Sequence, residues 1–118
     1  MTTSESGKES RSSKRHEGLK AWLACHELAL ALYRASHRWP AEERYALSLQ
    51  VRRAAYSAAA NIAEGSAMRG NRQFRKYLDV ALGSLSELSY CLLLAKDLGY
   101  LPHELWASWR PFGIMPGG

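Results

Sequence analysis

Phe74, Leu78, Ala81, Leu85, Leu88, Leu92, Ala95 and Gly99 follow one another at steps of 4, 3, 4, 3, 4, 3 and 4. A seam of this period keeps one face of an α-helix apolar over many turns, and that face must be buried against other helices. A strand, whose side chains alternate with a period of two, has no use for it. Composition agrees: the chain holds 17 Ala and 17 Leu against six Thr, Val and Ile residues in all. Straight-chain residues lose little rotamer freedom in a helix, whereas β-branched ones favour strands. With 118 residues, 47% of them hydrophobic, there is room for one domain with one core.

The expected architecture is all-α: an up-down antiparallel helical bundle of three long helices and a short fourth. Residues 1–18 hold five Ser, four cations and three Glu, and after Met1 no Leu, Val, Ile, Ala or aromatic residue. Such a composition buries too little surface to offset its ordering entropy, and predicts a disordered, basic-tinged tail. The bundle domain is expected over 19–110, with an irregular end at 111–118. A first helix is predicted from about Leu19 to Arg38, its inward face carrying Leu19, Trp22, Leu23, His26, Leu30 and Tyr33. Pro40 ends it and opens the next, since a proline at the first helical position loses no hydrogen bond.

The second helix is predicted from about Ala41 to Glu64, ending at Gly65, with Leu47, Val51, Ala54, Ala55, Ala58 and Ile62 inward. Beside that stripe runs a polar one: Gln50, Arg53, Ser57, Asn61 and Glu64. Periodicity alone fits two roles for it, a solvated face and a hydrogen-bonding seam between helices. The choice of Gln, Ser and Asn over Lys favours the seam, with Arg53, Asn61 and Glu64 at least half buried. Asn71 is the expected N-cap of the third helix, about Arg72 to Leu98. Gly99 fits the left-handed position past its end, with Leu101 packing back. Pro102 to Trp109 gives two turns of a fourth helix, and Pro111, Gly113 and Pro116 forbid its extension. The three long helices then leave a groove lined by some of Leu85, Leu88, Leu92, Leu94 and Leu98.

Chemistry is hard to find. None of His16, His26, His37 or His103 has Glu three residues before it, as a di-iron bundle requires. His26 reads as a half-buried histidine beside Trp22. Cys25 and Cys91 are too few for a disulfide scaffold or a four-cysteine zinc site, and read as small core residues in reduced, cytoplasmic surroundings. There is no phosphate-binding glycine loop and no nucleophile elbow. No uncharged run approaches the roughly 20 residues that cross a bilayer. We therefore expect no enzyme, metal or cofactor.

Charge is the informative property. The net charge is +5, and residues 66–79 hold Arg69, Arg72, Arg75 and Lys76 against Asp79 alone. Arg72, Arg75 and Lys76 share a helix face, and Arg69 joins them from the loop. Cations at a helix N-terminus oppose the dipole, so this patch is either a solvated helix start or a surface kept for an anionic partner. Phosphates of RNA or DNA are one such partner. An acidic protein, such as a polymerase or reverse transcriptase subunit docked by an adaptor, is the other.

The stretch Leu47-x-x-Gln50-x-x-Arg53-Ala54-Ala55-x-Ser57-x-x-x-Asn61-Ile62-Ala63-Glu64-Gly65 resembles the signature of a known bacterial family. It is the four-helix-bundle family encoded in intervening sequences of 23S rRNA genes. Phe74-x-x-Tyr77-Leu78-x-x-Ala81-x-Gly83-Ser84-Leu85-x-Glu87-Leu88 is similar to its third helix. Leu94-Ala95-Lys96-x-Leu98-Gly99-Tyr100-Leu101 is similar to the following turn, and Trp22 with His26-Glu27-Leu28 to its first helix. The resemblance implies a helical bundle without known catalysis. It also implies a relation to the accessory protein of diversity-generating retroelements, a basic five-fold barrel that partners a reverse transcriptase and nucleic acid. A homo-oligomer, with a homopentamer as the first count, and RNA or DNA binding are the expectations carried over. Two features depart from the family. Ala59 stands where a proline is frequent, and the fourth helix is shorter than the family's, so the bundle within one chain is expected to be incomplete.

Overall fold

The seam from Phe74 to Ala95 forms the inner face of a helix running Asn71–Asp97, here α3. Ala81, Leu88, Leu92 and Ala95 are fully buried, and Phe74, Leu78 and Leu85 are half-buried. The structure, a computed structural model, describes the backbone of residues 2–109 and the side chains of 17–109. It is all-helical among these residues. Besides α3 there are α1 (Thr2–Ser36), a 3-10 turn (Ala41–Glu43), α2 (Leu47–Ala67) and α4 (His103–Ser108). Short connections make the long helices antiparallel neighbours, and α2 packs against both α1 and α3.

Several boundaries differ from the sequence reading. α1 begins at Thr2, so the backbone is helical through the segment whose composition predicts a tail. Extending an existing helix adds a hydrogen bond per residue fixed without a new nucleation cost, and no proline interrupts 2–36. Residues 41–46 form a 3-10 turn followed by a hydrogen-bonded turn rather than the start of α2. Gly65 lies inside α2 instead of ending it. A Cβ there would sit 2.9 Å from the Tyr77 Cβ and 3.4 Å from the Phe74 carbonyl, so this glycine serves close helix approach. The N-cap of α3 is Gly70, with no side-chain cap, rather than Asn71. The expected irregular end at 111–118 lies outside the described residues.

The largest correction concerns α1. Among its described side chains the buried positions are Gly18, Cys25, Leu28, Leu32 and Ser36; of the expected inward face Trp22 is half-buried against the core, while Leu19, Leu23, His26, Leu30 and Tyr33 are exposed. Both sets repeat at helical spacing, their centres about 130° apart around the helix. The bulkier stripe faces outward, and the narrower one packs onto Val51, Ala55, Ala58 and Ile62 of α2.

At its C-terminus α3 closes in a Schellman motif. Gly99 has φ +83°, its N–H donates to Lys96 O at 3.0 Å, and the Tyr100 N–H donates to Ala95 O at 2.9 Å. Leu101 is buried behind the turn. The expected open groove is not formed as drawn: Leu88 and Leu92 are enclosed by α1 and α2, and Leu94 and Leu98 face outward. Trp39, Leu101 and Trp109 close that end of the core, with Tyr100 and Trp106 packed against them. By length and composition α3 is apolar enough to cross a membrane. Its inner face is nevertheless the wall of this core.

Candidate nucleic-acid interface

Gly65 sets the geometry of the basic surface. Because it carries no side chain, Phe74 and Tyr77 press onto the last turns of α2, and α3 starts only three residues after α2 ends. At the same end of the bundle Gly18 of α1 lies against Ser66 and Phe74. The loop residue Arg69 and the first-turn and second-turn residues Arg72, Arg75 and Lys76 are all exposed. None of the four has an ion-pair partner among the described residues, where the one ion pair is Lys96 with Asp97 at 3.4 Å. No acidic residue occupies the first turn of α3. The uncapped N–H groups and the positive end of the helix dipole add to the same field. Phe74 and Tyr77 are half-buried packing residues, so the patch is cationic without a free aromatic platform.

The polar stripe of α2 divides in two. Ser57 and Asn61 are half-buried, and Ser84 of α3 donates to Ser57 Oγ at 2.8 Å. Asn61 Nδ2 donates to the Ser57 carbonyl at 2.8 Å and to Ser57 Oγ at 3.2 Å. Gln50, Arg53 and Glu64 are exposed. The expectation that Arg53 and Glu64 are half buried is therefore overturned within one chain: α3 approaches α2 over Ser57 and Asn61, and the outer members of the stripe lie beyond its reach.

The arginine that does bridge helices is Arg52. Its Nε donates to Ser36 Oγ at 2.8 Å, its Nη2 donates to Tyr33 O at 3.2 Å, and its guanidinium lies 5.0 Å from the Tyr33 ring centroid. Sequence reasoning selected its neighbour Arg53. The signal was available only through the position of α1, because consecutive residues lie about 100° apart on a helix.

A shallow groove of about 460 Å³ runs between α1 and α2 on the outer side, lined by Trp22, His26, Leu30, Tyr33, Tyr56 and Ala60. His26 is exposed rather than half-buried, and stacks on Trp22 with centroids 5.1 Å apart and planes 3° from parallel. Cys25 and Cys91 are both buried free thiols, and burial raises the pKa of each; Glu87 adds to the effect at Cys91. No group of three or more His, Cys, Asp or Glu residues arranged to hold a metal ion occurs among the described residues.

Residues 17–111 match the sequence profile of the 23S rRNA-intervening sequence protein family. The chain belongs to that family. No curated protein matches it significantly. As a 23S rRNA-intervening sequence protein it is a small helical protein, and the match covers α2, α3 and α4 whole and α1 from Glu17 onward.

Proposed function

We propose that this protein is a non-enzymatic, self-associating helical scaffold that binds RNA or DNA through phosphate contacts in the cytoplasm. The observation that supports it best is the group Arg69, Arg72, Arg75 and Lys76, exposed and without ion-pair partners at the N-terminus of α3. Among the described residues no ion pair uses these four cations, and the dipole disfavours them. Arginine and lysine on phosphates give affinity with little sequence choice. Self-association is supported by exposed apolar residues on two different surfaces, Leu19, Leu23, Leu30 and Tyr56 on one and Tyr90, Leu94 and Leu98 on the other. Large apolar side chains grouped on one exposed surface are normally covered. A homopentamer is the first count to test.

The experiment is titration of fluorescent single-stranded and duplex RNA and DNA at two salt concentrations. Four phosphate contacts predict that log K falls with log salt at a slope of about −3 to −4. Arg72→Glu with Arg75→Glu should abolish binding at low salt. Binding unaltered by that pair, or none at low salt, would overturn the reading. An acidic protein partner retained after nuclease treatment would assign the same patch to an adaptor role.

A further inference from the structure

The cationic patch on α3 has no aromatic platform, but the α1/α2 groove has one. Its walls carry Trp22, His26 and Tyr33 of α1 and Tyr56 of α2, and its floor the small side chains of Ala59 and Ala60. Tyr33 is 46% exposed and Tyr56 67%. A second cavity, lined by Leu30, Tyr33, Arg34, His37 and Arg38, continues the groove along α1, since the two share Leu30 and Tyr33. From Trp22 to Arg38 the run is about 24 Å at the helix rise.

Two of the rings are held from one side by the protein. His26 lies on Trp22 with planes 3° from parallel. Tyr33 has the Arg52 guanidinium 5.0 Å from its centroid, and that guanidinium is itself fixed by the Ser36 hydroxyl and the Tyr33 carbonyl. Rings fixed in advance lose little rotamer freedom when a ligand stacks on them. The alanines keep the floor low, so that a flat group can lie between the α1 rings and Tyr56.

Charge is graded along the groove. Arg34 and Arg38 line its extension, Arg52 is bonded to Tyr33 and Ser36, and exposed Arg53 follows Arg52 on α2. These four arginines gather at the Tyr33 end. Exposed Glu27 and Glu64 are the carboxylates on this side of the bundle, and neither lines the groove or its extension. Glu27 stands about 100° around α1 from His26. Glu64 lies at the opposite end, two residues before Ser66, which meets Gly18 of α1. Four arginines against two carboxylates leave an excess of positive charge, concentrated where the groove runs out toward Arg38.

We propose that the α1/α2 groove is a stacking site for the bases of single-stranded RNA or DNA, with the arginines at its Tyr33 end on the phosphates. A row of rings beside cations suits an unpaired strand, whose bases offer free faces. Bases within a duplex are already stacked on one another. An acidic peptide would use the arginines and leave the rings idle, and a mononucleotide would leave most of the run empty. The proposal rests on the nucleic-acid reading above and adds a second surface, which prefers unpaired strands. A stacked strand also covers Leu30 and Tyr56, two of the exposed apolar residues.

The test is fluorescence anisotropy on the full chain with a short mixed-sequence RNA, used as a single strand and as an annealed duplex, at two salt concentrations. Helix content and light-scattering mass are the controls for each variant. The single strand should bind more tightly than the duplex. Tyr56→Ala should weaken single-strand binding about 5- to 150-fold, the range for loss of one base–aromatic stack, and leave duplex binding unchanged. Tyr56→Phe keeps the ring and should keep the affinity. His26→Ala, at another exposed position, should act in the same direction as Tyr56→Ala. Stacking releases no counterions, so neither alanine variant should change the salt slope. Unchanged single-strand affinity in both alanine variants, or an equal loss for the duplex, overturns the groove and leaves phosphate binding at Arg69 to Lys76 standing. A loss in Tyr56→Ala that comes with a changed mass assigns Tyr56 to contact between copies and overturns the stacking role. A mononucleotide that displaces the labelled RNA as well as the unlabelled strand does overturns the assignment to a strand. No binding of either RNA form at low salt overturns both readings.

Discussion

Ser84 Oγ donates a 2.8 Å hydrogen bond to Ser57 Oγ, joining α3 to α2 through two hydroxyls at the edge of the core. Asn61 turns back along α2, its hydrogen bonds going to the Ser57 carbonyl and hydroxyl rather than to α3. The two residues should therefore respond differently to truncation. Ser84→Ala removes an interhelical bond and should cost about 1 kcal/mol. Asn61→Ala loses a local bond but gains helix propensity worth about 0.6 kcal/mol, so its net change should lie within about 0.5 kcal/mol. Urea unfolding of both variants measures the difference. A larger loss for Asn61→Ala than for Ser84→Ala would place the interhelical bond on the asparagine.

Gly18 and Gly65 look equivalent in a sequence and are not equivalent in space. At Gly18 a Cβ would meet the Ser66 Oγ at 2.8 Å, the end of a short side chain that can rotate away. At Gly65 it would meet the Tyr77 Cβ and the Phe74 carbonyl, which move only with the backbone of α3. Alanine gains about 1 kcal/mol of helix propensity at either position. Gly18→Ala should be neutral or stabilising, whereas Gly65→Ala should destabilise by about 1–3 kcal/mol through overpacking. Thermal unfolding of the two variants gives the signs directly. Because Gly65 sets where α3 begins, the second variant should also weaken nucleic-acid binding.

The second and third helices were legible because each has one apolar stripe. Leu47, Val51, Ala54, Ala55, Ala58 and Ile62 all lie in the core, as do Ala81, Leu88, Leu92 and Ala95. The first helix has two stripes, and hydrophobicity ranks the wrong one first. Leu19, Leu23 and Leu30 are larger than Gly18, Ala21 and Cys25, yet the smaller set lies against α2. Periodicity reports that a face is apolar and not what covers it. The same limit applies to the candidate site. The cluster of Arg69, Arg72, Arg75 and Lys76 can be read from local spacing, and its exposure follows. The α1/α2 groove and the bridging Arg52 depend on how two helices cross, which no local pattern records.

Cys25 and Cys91 give a probe of this packing. Burial raises both thiol pKa values above the ordinary one, so at pH 8 the thiolate fraction is lower than in an exposed cysteine. The thiolate is the reactive form. Labelling by an aromatic disulfide reagent should therefore be slow in the folded protein and complete within the dead time in 6 M guanidinium. Raising the pH should speed the native reaction, because the protonated form is the one favoured by burial. Rapid stoichiometric labelling at pH 7 would mean that α1 and α3 do not shield these positions.

The end of the bundle opposite the basic patch depends on tryptophan. Trp39 closes the α1 end and is 7% exposed; Trp109 follows α4 and is 5% exposed. Tyr100 lies between the loops with its ring centroid 6.0 Å from that of Trp39. Trp106 covers the outside, with the Lys96 ammonium 4.2 Å from its ring centroid. These rings cover Leu32, Leu47, Leu92 and Ala95, which two turns of α4 could not cover with small side chains. Removing a buried tryptophan forfeits its transfer energy and leaves a cavity, together about 3–5 kcal/mol. For a small domain that is a large share of a total of about 5–15 kcal/mol. Trp39→Ala and Trp109→Ala should each bring the unfolding midpoint down sharply, and Trp109→Phe should recover most of the loss. Lys96→Met removes only the cation–π contact, worth about 0.5–1 kcal/mol at an exposed edge. Denaturant titrations of the four variants should rank them in that order. Equal stability of Trp109→Ala and the unmodified chain would show that α4 contributes nothing to closing the core.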